Sequence, residues 1–99
     1  MCGIFGILTN NNITTDQLVS YILNGLTRLQ NRGYDSCGVG LINNDIPINP
    51  LIHKYASTNT NNSLELVKEK FQTETNKNYH VGLGHNRWAT HGPKTDANA

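Results

Sequence analysis

Cysteine is scarce in this 99-residue sequence: Cys2 and Cys37 form no CxxC and no other redox or metal-binding spacing. That rules against a disulfide scaffold and a thiolate metal site, and makes reduced thiols in a cytoplasmic setting the default. No apolar run approaches ~18 residues and no basic segment precedes an apolar one, so neither a membrane span nor a secretory signal is indicated. An excess of charge is missing too. Eight Lys and Arg stand against seven Asp and Glu, a net +1 with four neutral His, which leaves no basic patch for nucleic acid. Hydrophobic residues make up only 36% and aromatics 7%, enough for one modest core in a single domain over residues 1–99.

Local signals place the elements. Met1 to Leu8 reads as a strand, closed by a turn at Thr9-Asn10-Asn11-Asn12. Thr14 followed by Gln17 is the pattern of a capping box. Leu18, Val19, Ile22, Leu23, Leu26 and Leu29 recur at helical spacing, which predicts a helix over 15–30. Gly33 is positioned for a left-handed stop, with Arg28 and Arg32 suited to the negative end of the helix dipole. Ser36 to Asn43 reads as a strand whose Gly38 and Gly40 suggest close approach of a neighbour. After a break at Asn43-Asn44-Asp45-Ile46-Pro47, Leu51 to Ala56 alternates as its hairpin partner. Past a polar linker, Leu64, Val67 and Phe71 define a second helix from Ser63 to about Thr73, with Glu65, Lys68, Glu69 and Lys70 on its solvated side. Tyr79 to Asn86 is a glycine-containing strand at the core, and 87–99 reads as an extended loop without regular structure.

The opening Cys2-Gly3 carries the first chemical suggestion. If Met1 is removed, the Cys2 thiol shares a carbon with a free α-amine of pKa ~7.7–8.0, close to the ~8.5 of the thiol, so one residue supplies nucleophile and base. Taken alone, Cys2 with Ile4, Phe5, Ile7 and Leu8 fits a buried strand better, and its place at position 2 before Gly3 only brings the two readings level. Arg87 is otherwise a strand-end surface residue, Trp88 a core or lid aromatic, Arg32 a helix-dipole partner and Asp35 a turn residue. The histidines His80, His85 and His91 make no preformed ligand set. The stretch beginning at Gly82-Leu83-Gly84 has Arg87 where a dinucleotide fingerprint requires glycine.

Three segments resemble one family. Cys2-Gly3-Ile4-Phe5-Gly6-Ile7, Arg32-Gly33-Tyr34-Asp35-Ser36-Cys37-Gly38 and Gly84-His85-Asn86-Arg87-Trp88-Ala89-Thr90-His91-Gly92 are similar, in that order, to the glutaminase domain of class II glutamine amidotransferases. Within these, the match is to the glutamine–fructose-6-phosphate aminotransferases, also called glucosamine-6-phosphate synthases. The resemblance implies an α+β chain, part of a four-layer αββα Ntn-hydrolase sandwich of antiparallel sheets, to each of which the chain contributes. It implies Cys2 as the nucleophile on glutamine and Arg87 as the grip on the substrate's α-carboxylate. Trp88, Thr90 and His91 would complete the substrate contacts, Arg32 would support the N-terminal region, and no metal or other cofactor is called for.

The match also departs from its pattern. Cys37 stands where Ala is usual, Asn86 where Thr is usual, and Asn31 where a larger residue precedes the Arg-Gly pair. Asn98-Ala99 reads as the start of a segment that in the family continues. The oxyanion donors, the acid that holds the substrate amine and the sugar-isomerising domain lie outside these 99 residues. The sequence therefore predicts a truncated glutaminase domain, inactive by itself. The alternatives are a non-catalytic remnant that binds a glutamine-like ligand or a full-length homologue, and one half of a split enzyme completed by a C-terminal portion.

Overall fold

The structure is a computed structural model that describes residues 2–43 and 47–99. The expected loss of Met1 and the strand break at Asn44-Asp45-Ile46 fall outside the described residues. Among the described residues, four strands, β1 (Gly3–Thr14), β2 (Ser36–Ile42), β3 (Leu51–Ala56) and β4 (Asn78–Arg87), form one antiparallel sheet in the order β1-β4-β2-β3. Two helices, α1 (Thr15–Arg28) and α2 (Ser63–Gln72), pack on one side of it and against each other. The α+β class, the antiparallel pairing, the β2–β3 hairpin and both helices are as the sequence leads one to expect. The strands differ in one respect: they share a single sheet, where contributions to two were anticipated.

The capping box opens α1 as anticipated. The Thr14 hydroxyl accepts from Gln17 N–H, and the Gln17 side chain accepts from Thr14 N–H, each at 3.3 Å. Leu18, Ile22 and Leu26 on its inner face are 0% exposed. They settle over β4 because Gly82 and Gly84 have no side chains there: a Cβ on Gly84 would stand 2.5 Å from Ile22 Cγ2, and one on Gly82 would strike Ile22 Cδ1. The glycines of β4 are thus the groove into which the α1 ridge fits. Asn86 closes the same seam, its buried amide donating to the Leu26 carbonyl at 2.8 Å. That carbonyl, in the last turn of α1, also accepts from Leu29 N–H at 3.0 Å, so the Asn86 amide takes up its second lone pair and ties β4 to the helix end, which gives the departure at position 86 a structural reason.

Two local expectations fail. Thr9 to Asn12 does not end β1, which runs on to Thr14. Leu8 pairs with Val81 and Ile13 with Tyr79, so the surplus residues are taken up as an irregularity in the ladder rather than as a turn. Nor is Gly33 a left-handed stop. Its φ of 166° is extended backbone, reached after a short 3₁₀ turn at Gln30–Arg32. Glycine is needed there for space, because a Cβ would stand 2.5 Å from the Arg87 carbonyl carbon and 2.6 Å from Trp88 N.

The second face of the sheet carries no layer from the described residues. Register puts Ile4, His85, Gly38 and Lys54 in one row across it and Gly6, Leu83, Gly40 and Ile52 in the next. Gly38 and Gly40 therefore look onto this open side. Ile4 is 68%, Leu8 77%, Ile52 58% and Leu83 54% exposed. Four large aliphatic side chains on one sheet surface amount to an apolar patch of the kind that marks an interaction surface. At one end of this face the segment after β4 folds back onto β3. Its short 3₁₀ turn, Asp96–Asn98, was not anticipated; it is held by Ala56 N–H donating to Asp96 Oδ1 at 2.8 Å and Lys54 Nζ donating to Ala97 O at 2.9 Å.

Candidate functional site

The pairing of β1 with β4 assembles the site. Gly3 lies opposite Asn86, so Cys2 comes out beside Arg87 and Trp88, where its thiol points at the Trp88 carbonyl at 4.0 Å. The Cys2 side is exposed. On the other flank of the N-terminus, a Cβ on Gly3 would stand 2.9 Å from Leu29 Cβ and 3.3 Å from Arg32 Cβ. Gly3 is thereby the space through which the N-terminal segment passes the end of α1, and Arg32 stands next to it. Four of the six residues singled out from sequence, Cys2, Arg32, Arg87 and Trp88, converge at this corner.

The remaining two lie further along the loop. Thr90 is exposed, and His91 takes part through its backbone: its carbonyl accepts from Arg87 Nη2, while Pro93 O accepts from Arg87 Nη1 at 3.1 Å. Both arms of the Arg87 fork are therefore filled by the chain that follows it. Gly92, with φ +78°, provides the left-handed turn that brings the two carbonyls round to the guanidinium. The Trp88 indole, 44% exposed, leans on Tyr34 with ring centroids 6.0 Å apart.

Asp35, taken from sequence as a turn residue, turns out to organise this loop. Its N–H donates to Arg87 O at 3.1 Å, its Oδ2 accepts from Ala89 N–H at 2.8 Å, and its Oδ1 meets Lys94 Nζ at 2.8 Å. Lys94 first, then the Ala89 N–H, holds the Asp35 carboxyl below its ordinary range, so it is ionised at neutral pH. No spacing could have revealed this, because Asp35 and Lys94 are 59 positions apart by number and meet only when β2 and β4 pair. Nearby, His85 on the open face has its pKa lowered by burial and then by the Arg87 charge, which favours the neutral imidazole. Among the described residues, no group of three or more His, Cys, Asp and Glu is placed to hold a metal ion. A groove of about 540 Å³ runs between α1 and α2, past Val19, Leu23, Leu64 and Phe71, and none of the site residues lines it.

The two thiols differ sharply. Cys37 is 1% exposed in the core, and burial pushes its pKa from an ordinary 9.0 up to about 12. Iodoacetamide at pH 8 is expected to label Cys2 and to spare Cys37 until the chain is unfolded, which peptide mass mapping checks. Because the folded thiol stays neutral where the unfolded one ionises, the unfolded state binds fewer protons above pH ~9. Stability should therefore be level with respect to Cys37 below that pH and fall by up to ~1.4 kcal/mol per unit between ~9 and ~12. A Cys37→Ala variant lacks that component of the alkaline loss.

Comparison with known proteins now bears on this corner. The chain is 40% identical over 99 residues to a probable glutamine–fructose-6-phosphate aminotransferase of Acanthamoeba polyphaga mimivirus. It is 40% identical over 100 residues to the enzyme of that name in Methanococcus maripaludis, and 36% identical over 106 residues to one in Arabidopsis thaliana. All of the chain is matched in each case. The chain belongs to the glutamine–fructose-6-phosphate aminotransferase family. It corresponds to the N-terminal part of these aminotransferases and spans only 14–15% of the length of the three named here. No family model matches the chain. Among the described residues, no helix is long and apolar enough to cross a membrane.

Proposed function

We propose that this chain is the N-terminal portion of an Ntn-type glutaminase domain, whose inherited chemistry is to release ammonia from glutamine for transfer to fructose 6-phosphate. What supports it above all is that a chain matched along its whole length by these aminotransferases brings Cys2 against the Arg87–Trp88 backbone. In this reading Met1 is removed and the Cys2 sulfur attacks the side-chain amide carbon of glutamine. The thiol proton passes through the Cys2 α-amine to the departing nitrogen, leaving ammonia and a glutamyl thioester that water then cleaves to glutamate. Arg87 exchanges the His91 and Pro93 carbonyls for the substrate α-carboxylate, an ionised acceptor that forms the stronger bidentate pair. Trp88 and Thr90 close on the substrate, and Arg32 keeps the N-terminus in place. No cofactor enters, and the setting is the cytoplasm.

The oxyanion donors that the resemblance calls for are not among these residues, and loss of even one such donor costs ~10²–10³ in rate. The chain alone should therefore be inactive. The exposed Ile4, Leu8, Ile52 and Leu83 favour, as a second reading, a chain that acts by association, whether as half of a split enzyme or as a remnant that binds a homologue. A glutaminase assay on the chain, with and without a separately expressed C-terminal portion of a relative's glutaminase domain, decides among them. Activity only on mixing, lost with Cys2→Ala and strongly reduced with Arg87→Lys, is the expected result. Complex formation without glutamate release favours the binding remnant, and activity of the chain alone overturns the view that it is incomplete.

A further inference from the structure

We propose that Asp35 is a positioning residue, which with Lys94 clasps the 88–94 loop shut and thereby keeps the Arg87 guanidinium filled by the loop's own carbonyls. The clasp has two grips on one carboxylate. Oδ2 holds the Ala89 N–H at the start of the loop and Oδ1 holds the Lys94 ammonium at its end, each at 2.8 Å. The peptide between these points is drawn into a closed turn through Gly92, and the carbonyls of His91 and Pro93 then fall on the two arms of Arg87. Asn98 Nδ2 donates to the same Pro93 carbonyl at 3.0 Å, securing the turn from its far side.

The base of the clasp is anchored on the backbone ladder while its tongue is exposed. Asp35 N–H extends the β2–β4 ladder by bonding Arg87 O, and Ser57 N–H donates to Asp35 O at 2.9 Å, so the carboxylate is carried on a backbone fixed from both sides. Its side chain is 14% exposed, whereas that of Lys94 is 60% exposed. An ion pair of this kind is weak and screened by salt, suited to a contact that opens and recloses. While it is shut, an incoming carboxylate must displace two carbonyls from Arg87, and the Trp88 carbonyl stays against the Cys2 thiol. That the displacing carboxylate is glutamine's rests on the function proposed above; the clasp itself does not.

Trp88 is the chain's single tryptophan and lies within the clasped loop, so its emission reads the loop directly. In the intact 99-residue chain, Lys94→Met and Asp35→Asn are expected to raise acrylamide quenching of Trp88 and to speed Cys2 alkylation about two- to fivefold, the range set by losing a partly exposed ion pair. Lys94→Arg should behave as the wild type. High salt should reproduce the change in the wild-type chain and add nothing in Lys94→Met. Far-UV circular dichroism on each variant separates an opened loop from an unfolded chain, and Lys94, being exposed, is the variant that folds most safely. Unchanged quenching and alkylation in a folded Lys94→Met, or a Lys94→Arg that behaves like Met, overturns the clasp. Altered fluorescence in a chain that gains no glutaminase on mixing would leave the clasp standing and remove only the glutamine reading.

Discussion

Replacing Ile22 by alanine is expected to cost close to 5 kcal/mol, near the upper end of the ~2–5 kcal/mol range for such truncations. The surroundings explain why. Ile22 is 0% exposed, and its Cγ2 and Cδ1 sit directly over Gly84 and Gly82. The usual relief for a truncated core residue is that neighbouring side chains lean into the space. Here the floor of the cavity is glycine backbone, which has nothing to extend. For a chain of this length the total stability expected is roughly 5–15 kcal/mol, so the loss amounts to a third or more of it. Urea denaturation followed by circular dichroism measures the difference. A cost below ~2 kcal/mol would mean that α1 does not bear on β4 as described.

Gly33→Ala is the second large effect, and it strikes the candidate site as well as the fold. The new methyl would stand 2.5 Å from Arg87 C, 2.6 Å from Trp88 N and 2.8 Å from Arg87 O, all of them backbone atoms. They cannot give way easily, because Arg87 pairs with Ser36 and its carbonyl also accepts from Asp35 N–H. Overpacking usually costs ~1–3 kcal/mol, and with no flexible neighbour to absorb it the upper part of that range is expected. What yields should be the end of β4, carrying Arg87 and Trp88 away from Cys2. Thermal melts should show the destabilisation, and increased quenching of Trp88 the displacement. A variant with wild-type melting and quenching would show that the Gly33 approach is looser than described.

Together these two positions show how the core and the candidate site share one strand. β4 carries Gly82 and Gly84 for α1, Asn86 for the end of that helix, and Arg87 for the site, within six consecutive residues. Alternation sends Gly82, Gly84 and Asn86 toward the helices while Leu83, His85 and Arg87 face the open side. A fault on the helix side is therefore transmitted to the site by the same backbone.

Much of this was legible in the chain itself. The apolar stripe of α1, its Thr14–Gln17 cap, the β3 span and the Leu64, Val67, Phe71 face of α2 are short-range patterns, set by backbone hydrogen-bonding geometry and burial period. The Asn-rich stretch after Leu8 misled because the ladder with β4 resumes at Ile13 opposite Tyr79, so those residues are carried as an irregularity within the strand rather than as a turn that ends it. Gly33 misled because the same residue serves both a left-handed turn and a tight backbone approach, and only the neighbour across the sheet distinguishes them.

By itself the sequence determined the residue types at the candidate site and the family resemblance they carry, since the identities of Cys2, Arg87 and Trp88 are the same wherever the chain puts them. The tertiary structure alone decided that the four strands among the described residues join one sheet, that these residues lay no layer over one of its faces, and that Asp35 meets Lys94 across the loop. Strand order and register are contacts between segments far apart in the chain, and no local pattern of residues specifies which of several compatible partners each strand will meet.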